Sequence, residues 1–223
     1  VLIVTTDKVY RPSTKSKHVE TDALGGLDPY SASKAMADLL SQSWSKVNPE
    51  LRLGIARAGN VIGSFDHARD RLIPDISRSL RLGLPLEVRY PEAVRPWQHV
   101  LDCLAGYLRY IEILRTDTDA PIALNFGPDP DEMKRVQDVL DQAKVFDTGL
   151  TYALVPTEHV ENPMLTLDNT LAKTRLGWGN RITFREAVNM SLEDATSEQR
   201  VEEVVNSQIR AYFSKLTGPS VVS

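Results

Sequence analysis

The sequence predicts an α/β protein: a parallel sheet in the first third of the chain, then a smaller α+β lobe. Three observations carry this. Val1-Leu2-Ile3-Val4 is a β-branched apolar run, continuous rather than alternating, as in strands covered on both faces. Residues 30–47 place Met36, Leu39, Leu40, Trp44 and Val47 on one helical stripe. Residues 51–62 are again largely apolar and contain Arg57-Ala58-Gly59-Asn60 before Gly63 releases the chain. Strand, helix, strand implies a right-handed crossover in a parallel sheet, which puts a ligand at the carboxyl ends of the strands.

From Asp66 the pattern changes to short helices and isolated strands. Helices are predicted over residues 72–82, 100–115, 133–143, 167–176, 183–195 and 199–216; strands over 86–89, 122–126 and 152–155. The division read from this is 1–64 for the sheet domain, 65–217 mostly for the second lobe and 218–223 for a frayed tail. There are no internal repeats. The opening strand has no polar lead-in and no initiator methionine, so the expectation is that the chain begins inside a domain, with an unpaired apolar edge at Val1–Thr5.

Composition narrows the function classes. A net charge of −4 with acids and bases interspersed offers no concentrated basic face for nucleic acid. No apolar stretch approaches the roughly 20 residues of a membrane span, and the first residues lack a secretory signal, so cytoplasmic residence is expected. The single cysteine, Cys103, lies in an apolar helical run and reads as a small buried hydrophobe. No spacing of His, Cys, Asp and Glu builds a metal site.

Three groups carry candidate chemistry. Thr6-Asp7-Lys8 follows the first strand; taken alone it is an ordinary solvated strand exit. Tyr30-Ser31-Ala32-Ser33-Lys34 puts Tyr30 and Lys34 four apart at the start of a helix, on one face. A lysine ammonium close to a phenol favours phenolate, so that the oxygen can take an alcohol proton. The Thr6 hydroxyl can hold the same oxygen. Asn60, Arg71 and Arg95 bracket apolar turns, and a guanidinium fork matches diphosphate oxygens, although each also reads as a surface salt bridge or loop cap. Trp97 and His99 read as packing residues of the loop after Arg95.

Tyr30 to Lys34, as Y-S-A-S-K after a strand ending in hydroxyl residues, resembles the extended short-chain dehydrogenase/reductases. Asp7-Lys8-Val9-Tyr10, Gly25-Gly26-Leu27-Asp28-Pro29-Tyr30, Ala58-Gly59-Asn60-Val61-Ile62-Gly63, Asp70-Arg71-Leu72-Ile73-Pro74-Asp75 and Arg95-Pro96-Trp97-Gln98-His99-Val100 look, within that group, like the CDP-glucose 4,6-dehydratases. The likeness continues through Asn125-Phe126-Gly127-Pro128 and Leu176-Gly177-Trp178. It implies a partial Rossmann-like sheet (carboxy-terminal strands only), a nucleotide-sugar substrate, NAD as cofactor and a homodimer or homo-oligomer built partly on the helix that carries Tyr30.

It also implies a three-stage lyase reaction: oxidation at C4 of the glucose, loss of water across C5 and C6, and return of the hydride to C6. Tyr30 would be the base at the C4 hydroxyl, with Lys34 holding its charge and the nicotinamide ribose, and Thr6 orienting the hydroxyl. Asp7 would protonate the departing C6 hydroxyl, and Lys8 would take the C5 proton, where related dTDP-glucose enzymes carry a glutamate. Asn60, Arg71 and Arg95 would hold the diphosphate. The sequence departs from the family in three places. No G-x-G-x-x-G turn for the NAD pyrophosphate is present, Ser64-Phe65-Asp66-His67 replaces a more glycine-rich loop, and residues 11–21 are altered. A catalytically silent nucleotide-sugar- or partner-binding module and a 4-epimerase of the same fold are the alternatives.

Overall fold

The computed structural model describes residues 1–13, 17–129, 132–156 and 166–217; the tail at 218–223 lies outside them. The first sheet has three parallel strands: β1 (Leu2–Val4), β2 (Gly54–Ala58) and β7 (Ala123–Phe126), in the order β1-β2-β7. β2 and β7 are buried residue by residue, as a sheet with both faces covered requires. β1 pairs with β2 alone among the described residues, and Val1 and Val4 are exposed along it.

Helix α1 (Pro29–Val47) connects β1 to β2. Asp28 caps it by accepting from the Ser31 N–H at 3.0 Å, and Pro29 occupies the first turn, where no N–H is missed. Only its narrow Ser31, Ala35, Asp38 face is buried; Met36, Leu39, Leu40, Trp44 and Val47, the stripe read from the sequence, face outward. Alternation along β2 explains which helix lies on which side. Ala56 and Ala58 pack with Leu124 and Phe126 against Cys103, Tyr110 and Leu114 of α3 (Val100–Thr116) and Ala172 and Leu176 of α5 (Thr170–Leu176). Arg57 points to the other face, where it meets Asp38 of α1.

The single strand predicted over 51–62 is two. The ladder with β7 ends at Ala58, and Val61–Ile62 (β3) pairs instead with Gln98–His99 (β6). The break comes at Gly59, where an added Cβ would lie 2.4 Å from Pro96 Cγ, so only glycine lets the loop before β6 approach the end of β2.

The second lobe is built around α2 (Leu72–Leu82), α4 (Val136–Phe146), α6 (Phe184–Thr196) and α7 (Val201–Thr217). Two short pairs complete it: β4 (Leu86–Val88) with β9 (Tyr152–Leu154), and β5 (Val94–Arg95) with β8 (Lys134–Arg135). Its core joins Ile73 and Ile76 of α2 to Val139 and Leu140 of α4 and Val188 and Leu192 of α6. α4 starts three residues later than the 133–143 read from the sequence, because Lys134 and Arg135 are drawn into β8. No helix of the described residues is long and apolar enough to cross a membrane.

Candidate active site

A cavity of about 1070 Å³ lies between the sheet and the second lobe, at the carboxyl ends of β1 and β2. Thr6, Asp7, Lys8, Tyr30, Asn60, Arg71 and Arg95 all line it, so seven of the eight residues singled out from the sequence converge on one space. The eighth, Lys34, is half-buried one turn behind Tyr30 on α1 and is not part of the lining.

Directly after β1 the chain winds into a single 3-10 turn, Asp7–Val9, capped by Thr6, whose Oγ1 accepts from the Lys8 N–H at 3.4 Å. That turn aims consecutive residues differently. Thr6 is buried and donates to Asp7 Oδ1 at 2.9 Å, and Lys8 is exposed. Asp7 is 3% exposed, and its Oδ2 has no hydrogen-bond partner among the described residues. A Cβ on Gly59 would stand 3.4 Å from that oxygen. Burial pushes the Asp7 carboxyl up from 3.8 to about 6, against the opposing Thr6 hydrogen bond and the Lys8 and Arg95 charges. A buried carboxyl that still holds part of its proton near pH 6, with one oxygen unpartnered, is suited to give a proton to a group in the cavity.

Tyr30 is half exposed at the first turn of α1, opposite the 3-10 turn across the cavity mouth. Of the phosphate candidates, Arg95 is buried, with Nη1 donating to the Val94 carbonyl at 2.7 Å. Arg71 is exposed on the rim, 4.0 Å from Asp66. Asn60 lines the floor, and its backbone oxygen accepts from Gln98 N–H at 3.0 Å. Trp97 and His99 have the packing roles expected of them. Trp97 Nε1 donates to the Lys134 carbonyl at 3.0 Å, and His99 caps α3 with Nδ1 accepting from Leu101 N–H at 3.3 Å. Burial drives the His99 imidazole down to about 4, so it is neutral.

Sequence reasoning missed the buried network behind the site. Arg57 is 1% and Asp38 0% exposed; Nε and Nη2 of Arg57 each reach a different Asp38 oxygen at 2.8 Å. Nη1 of the same guanidinium donates to the Tyr10 hydroxyl at 2.9 Å and the Glu20 carbonyl at 2.8 Å, and Tyr10 in turn donates to Asn125 Oδ1 at 2.6 Å. The signal was in the sequence: Arg57 is a lone charge inside an apolar strand, and such a charge must find a partner.

The fold and this site define an α/β protein of the Rossmann type with hydroxyl, acid and amine groups gathered at the sheet's carboxyl edge. The model of the NAD dependent epimerase/dehydratase family matches residues 1–125, and the chain belongs to that family. A CDP-glucose 4,6-dehydratase from Salmonella typhimurium is 36% identical over 200 residues, covering 84% of this chain and 56% of the relative. A UDP-glucose 4-epimerase from Erwinia amylovora is 26% identical over 193 residues, 76% of this chain and 55% of the relative. The chain thus spans little more than half the length of these curated relatives.

Two solved structures show the same fold. One is a dTDP-glucose 4,6-dehydratase from Bacillus anthracis in complex with NAD: TM-score 0.72, 23% identity, 86% of this chain and 60% of that one. The other is a UDP-glucuronic acid 4-epimerase from Bacillus cereus in complex with UDP-glucuronic acid and NAD: TM-score 0.76, 17% identity, 87% and 60%.

Proposed function

We propose that this chain is the proton-transfer and nucleotide-sugar-binding part of a longer CDP-glucose 4,6-dehydratase. The observation that carries the reading is Asp7: a buried carboxyl with an unpartnered oxygen, next to a lysine, in the same cavity as Tyr30. A C4 epimerase needs a hydroxyl, a tyrosine and a lysine; elimination across C5 and C6 needs in addition one proton donor and one acceptor. Asp7 and Lys8 supply that extra pair, and the 36% identity to a CDP-glucose enzyme agrees with it.

Tyr30 takes the proton of the C4 hydroxyl, which Thr6 orients, and Lys34 balances the phenolate. Asp7 then gives its proton to the C6 hydroxyl, which leaves as water, while the amine of Lys8 removes the C5 proton that the new 4-keto group acidifies. Lys8 must be neutral for part of the cycle. Asn60, Arg71 and Arg95 hold the diphosphate; the expected division at 64/65 is not clean, because the 65–217 segment supplies Arg71 and Arg95 and also returns β7, α3 and α5 to the sheet.

NAD supplies a reversible hydride acceptor when bound. The donor set fits the nicotinamide-ribose end: Tyr30 lines the cavity beside Val4 and Thr5 at the end of β1, and Lys34 stands one turn along the same helix. The 223 residues contain no glycine-rich turn for the pyrophosphate, so that end of the cofactor is assigned to chain outside them. The outward stripe of α1 is read as the surface for a second copy.

The test is to incubate the complete gene product with CDP-glucose and NAD and to identify the product. The 4-keto-6-deoxy sugar is expected; C4-epimerised sugar alone would overturn the assignment. Parallel runs with dTDP- and UDP-glucose decide the nucleotide. Sequencing upstream of Val1 checks the longer-protein reading, which an in-frame glycine-rich β-α segment supports and a start codon at Val1 removes.

A further inference from the structure

Tyr30, Lys34 and Asp38 follow one another at intervals of four along α1, on one face of the helix. A carboxylate four residues beyond a lysine is within reach of its ammonium and competes for it. Here Arg57 neutralises that carboxylate, its Nε and Nη2 each donating to a different Asp38 oxygen at 2.8 Å. The remaining contacts of Asp38 are neutral donors: the Thr5 hydroxyl at 3.3 Å and Gln42 Nε2 at 2.7 Å. Arg57 is further fixed by Tyr10, whose backbone N–H also closes the 3-10 turn on the Asp7 carbonyl at 3.5 Å. One guanidinium therefore bonds the helix of Tyr30 directly and, through Tyr10, the residue that closes the turn of Asp7 and Lys8.

A bidentate ion pair that is almost fully buried is weak evidence for stability, since apolar residues of the same size usually do as well. Its retention asks for another reason. We propose that Arg57 is a positioning residue: by occupying Asp38 it leaves the Lys34 ammonium free to serve Tyr30, and through Tyr10 it holds the acid-bearing turn in register with that helix. This rests on Tyr30 being the base, as read above, but not on which sugar is the substrate.

The charged groups around this spine are few. Asp7, Lys8 and Asp28 line the same cavity as Tyr30, and Lys34 follows four residues along its helix; Glu20 acts on both Arg57 and Tyr10. Lys34 is thus the lever that Asp38 would pull if released.

The titration of Tyr30 reads this out without turnover. The complete gene product, labelled with [13Cζ]tyrosine and assigned with Tyr30→Phe, is titrated as wild type, Arg57→Met, Arg57→Met/Asp38→Leu, Lys34→Met and Arg57→Met/Lys34→Met. The Arg57→Met midpoint is expected to rise by about one pH unit, the size of a lost neighbouring charge. Removing Asp38 as well should return it to the wild-type value, and the Arg57 substitution should move nothing in the Lys34→Met background. A midpoint unmoved by Arg57→Met, or moved equally with and without Lys34, would overturn the proposal.

Because loss of one partner of a buried pair can prevent folding, Arg57→Lys serves as a second variant. It keeps the charge but frees one carboxylate oxygen, and its midpoint should fall between wild type and Arg57→Met. Failure of the product assay leaves this titration intact, so the two readings fail separately.

Discussion

At the scale of single residues, Asp7 shows a conflict between stability and chemistry. Its carboxyl is raised from 3.8 to about 6, so the folded protein holds that proton more tightly than the unfolded chain does. Stability from this group is therefore greatest below about pH 4, falls as pH rises through 6, and the full penalty is present at neutral pH. Asp7→Asn should raise the stability of the protein at pH 7.5 by on the order of 1–3 kcal/mol, and leave it unchanged at pH 3.5, in thermal melts. On the proposed dehydratase reading, the same variant of the complete gene product should form no 4-keto-6-deoxy product, because the amide cannot protonate the leaving hydroxyl. Phe65 lies in the left-handed region at φ 61°, in the loop where the family resemblance expects glycines and a tryptophan. Phe65→Gly should stabilise the protein by about 1 kcal/mol in the same melts, by relieving that strain.

At the scale of elements, the start of α1 and the end of β2 set the site. Asp28 satisfies the first turn of α1 through the Ser31 N–H, and Asp28→Ala should lower the melting temperature. Faster hydrogen exchange at Ser31 and Ala32, with that at Trp44 unchanged, would place the loss at the cap rather than along the helix. Gly59 admits Pro96 and adjoins the unpaired oxygen of Asp7. Gly59→Ala should push the 95–97 loop off the strand tip. The expected result is at least a tenfold fall in kcat/KM with the melting temperature lowered by only a few degrees, read in paired kinetic and thermal measurements.

Elements were the most legible scale of the sequence. The stretch predicted as 72–82 is α2 to the residue, since its apolar spacing is strongly helical and Gly83, at φ 64°, closes it. β5, β6 and β8 were not legible: they are two-residue strands, too short for alternation to register.

At the scale of the whole molecule, an apolar stripe on α1 has no partner among the described residues. Trp44 is 54% and Leu40 66% exposed, beside Met36, Leu39 and Val47. Apolar side chains in such a row mark a surface made for contact. If a second copy covers it, sedimentation of the complete gene product should give a dimer, and Leu40→Glu with Trp44→Glu should give a monomer with the melting curve otherwise cooperative. A dimer that survives both substitutions would place the interface elsewhere.

The sequence by itself determined the strand-helix-strand order and the helix that presents Tyr30 and Lys34, because periodicity and local motifs depend on neighbours a few residues apart. The other candidate site residues were named through the family resemblance, and that they share one cavity with Tyr30 is a tertiary outcome. Tertiary structure alone decided that the stripe of α1 faces outward, that β2 stops at Gly59, and that Arg57 locks Asp38 across 19 positions. Those outcomes depend on which surfaces meet, and for a lone buried charge the partner is chosen by packing distance, which no local spacing records.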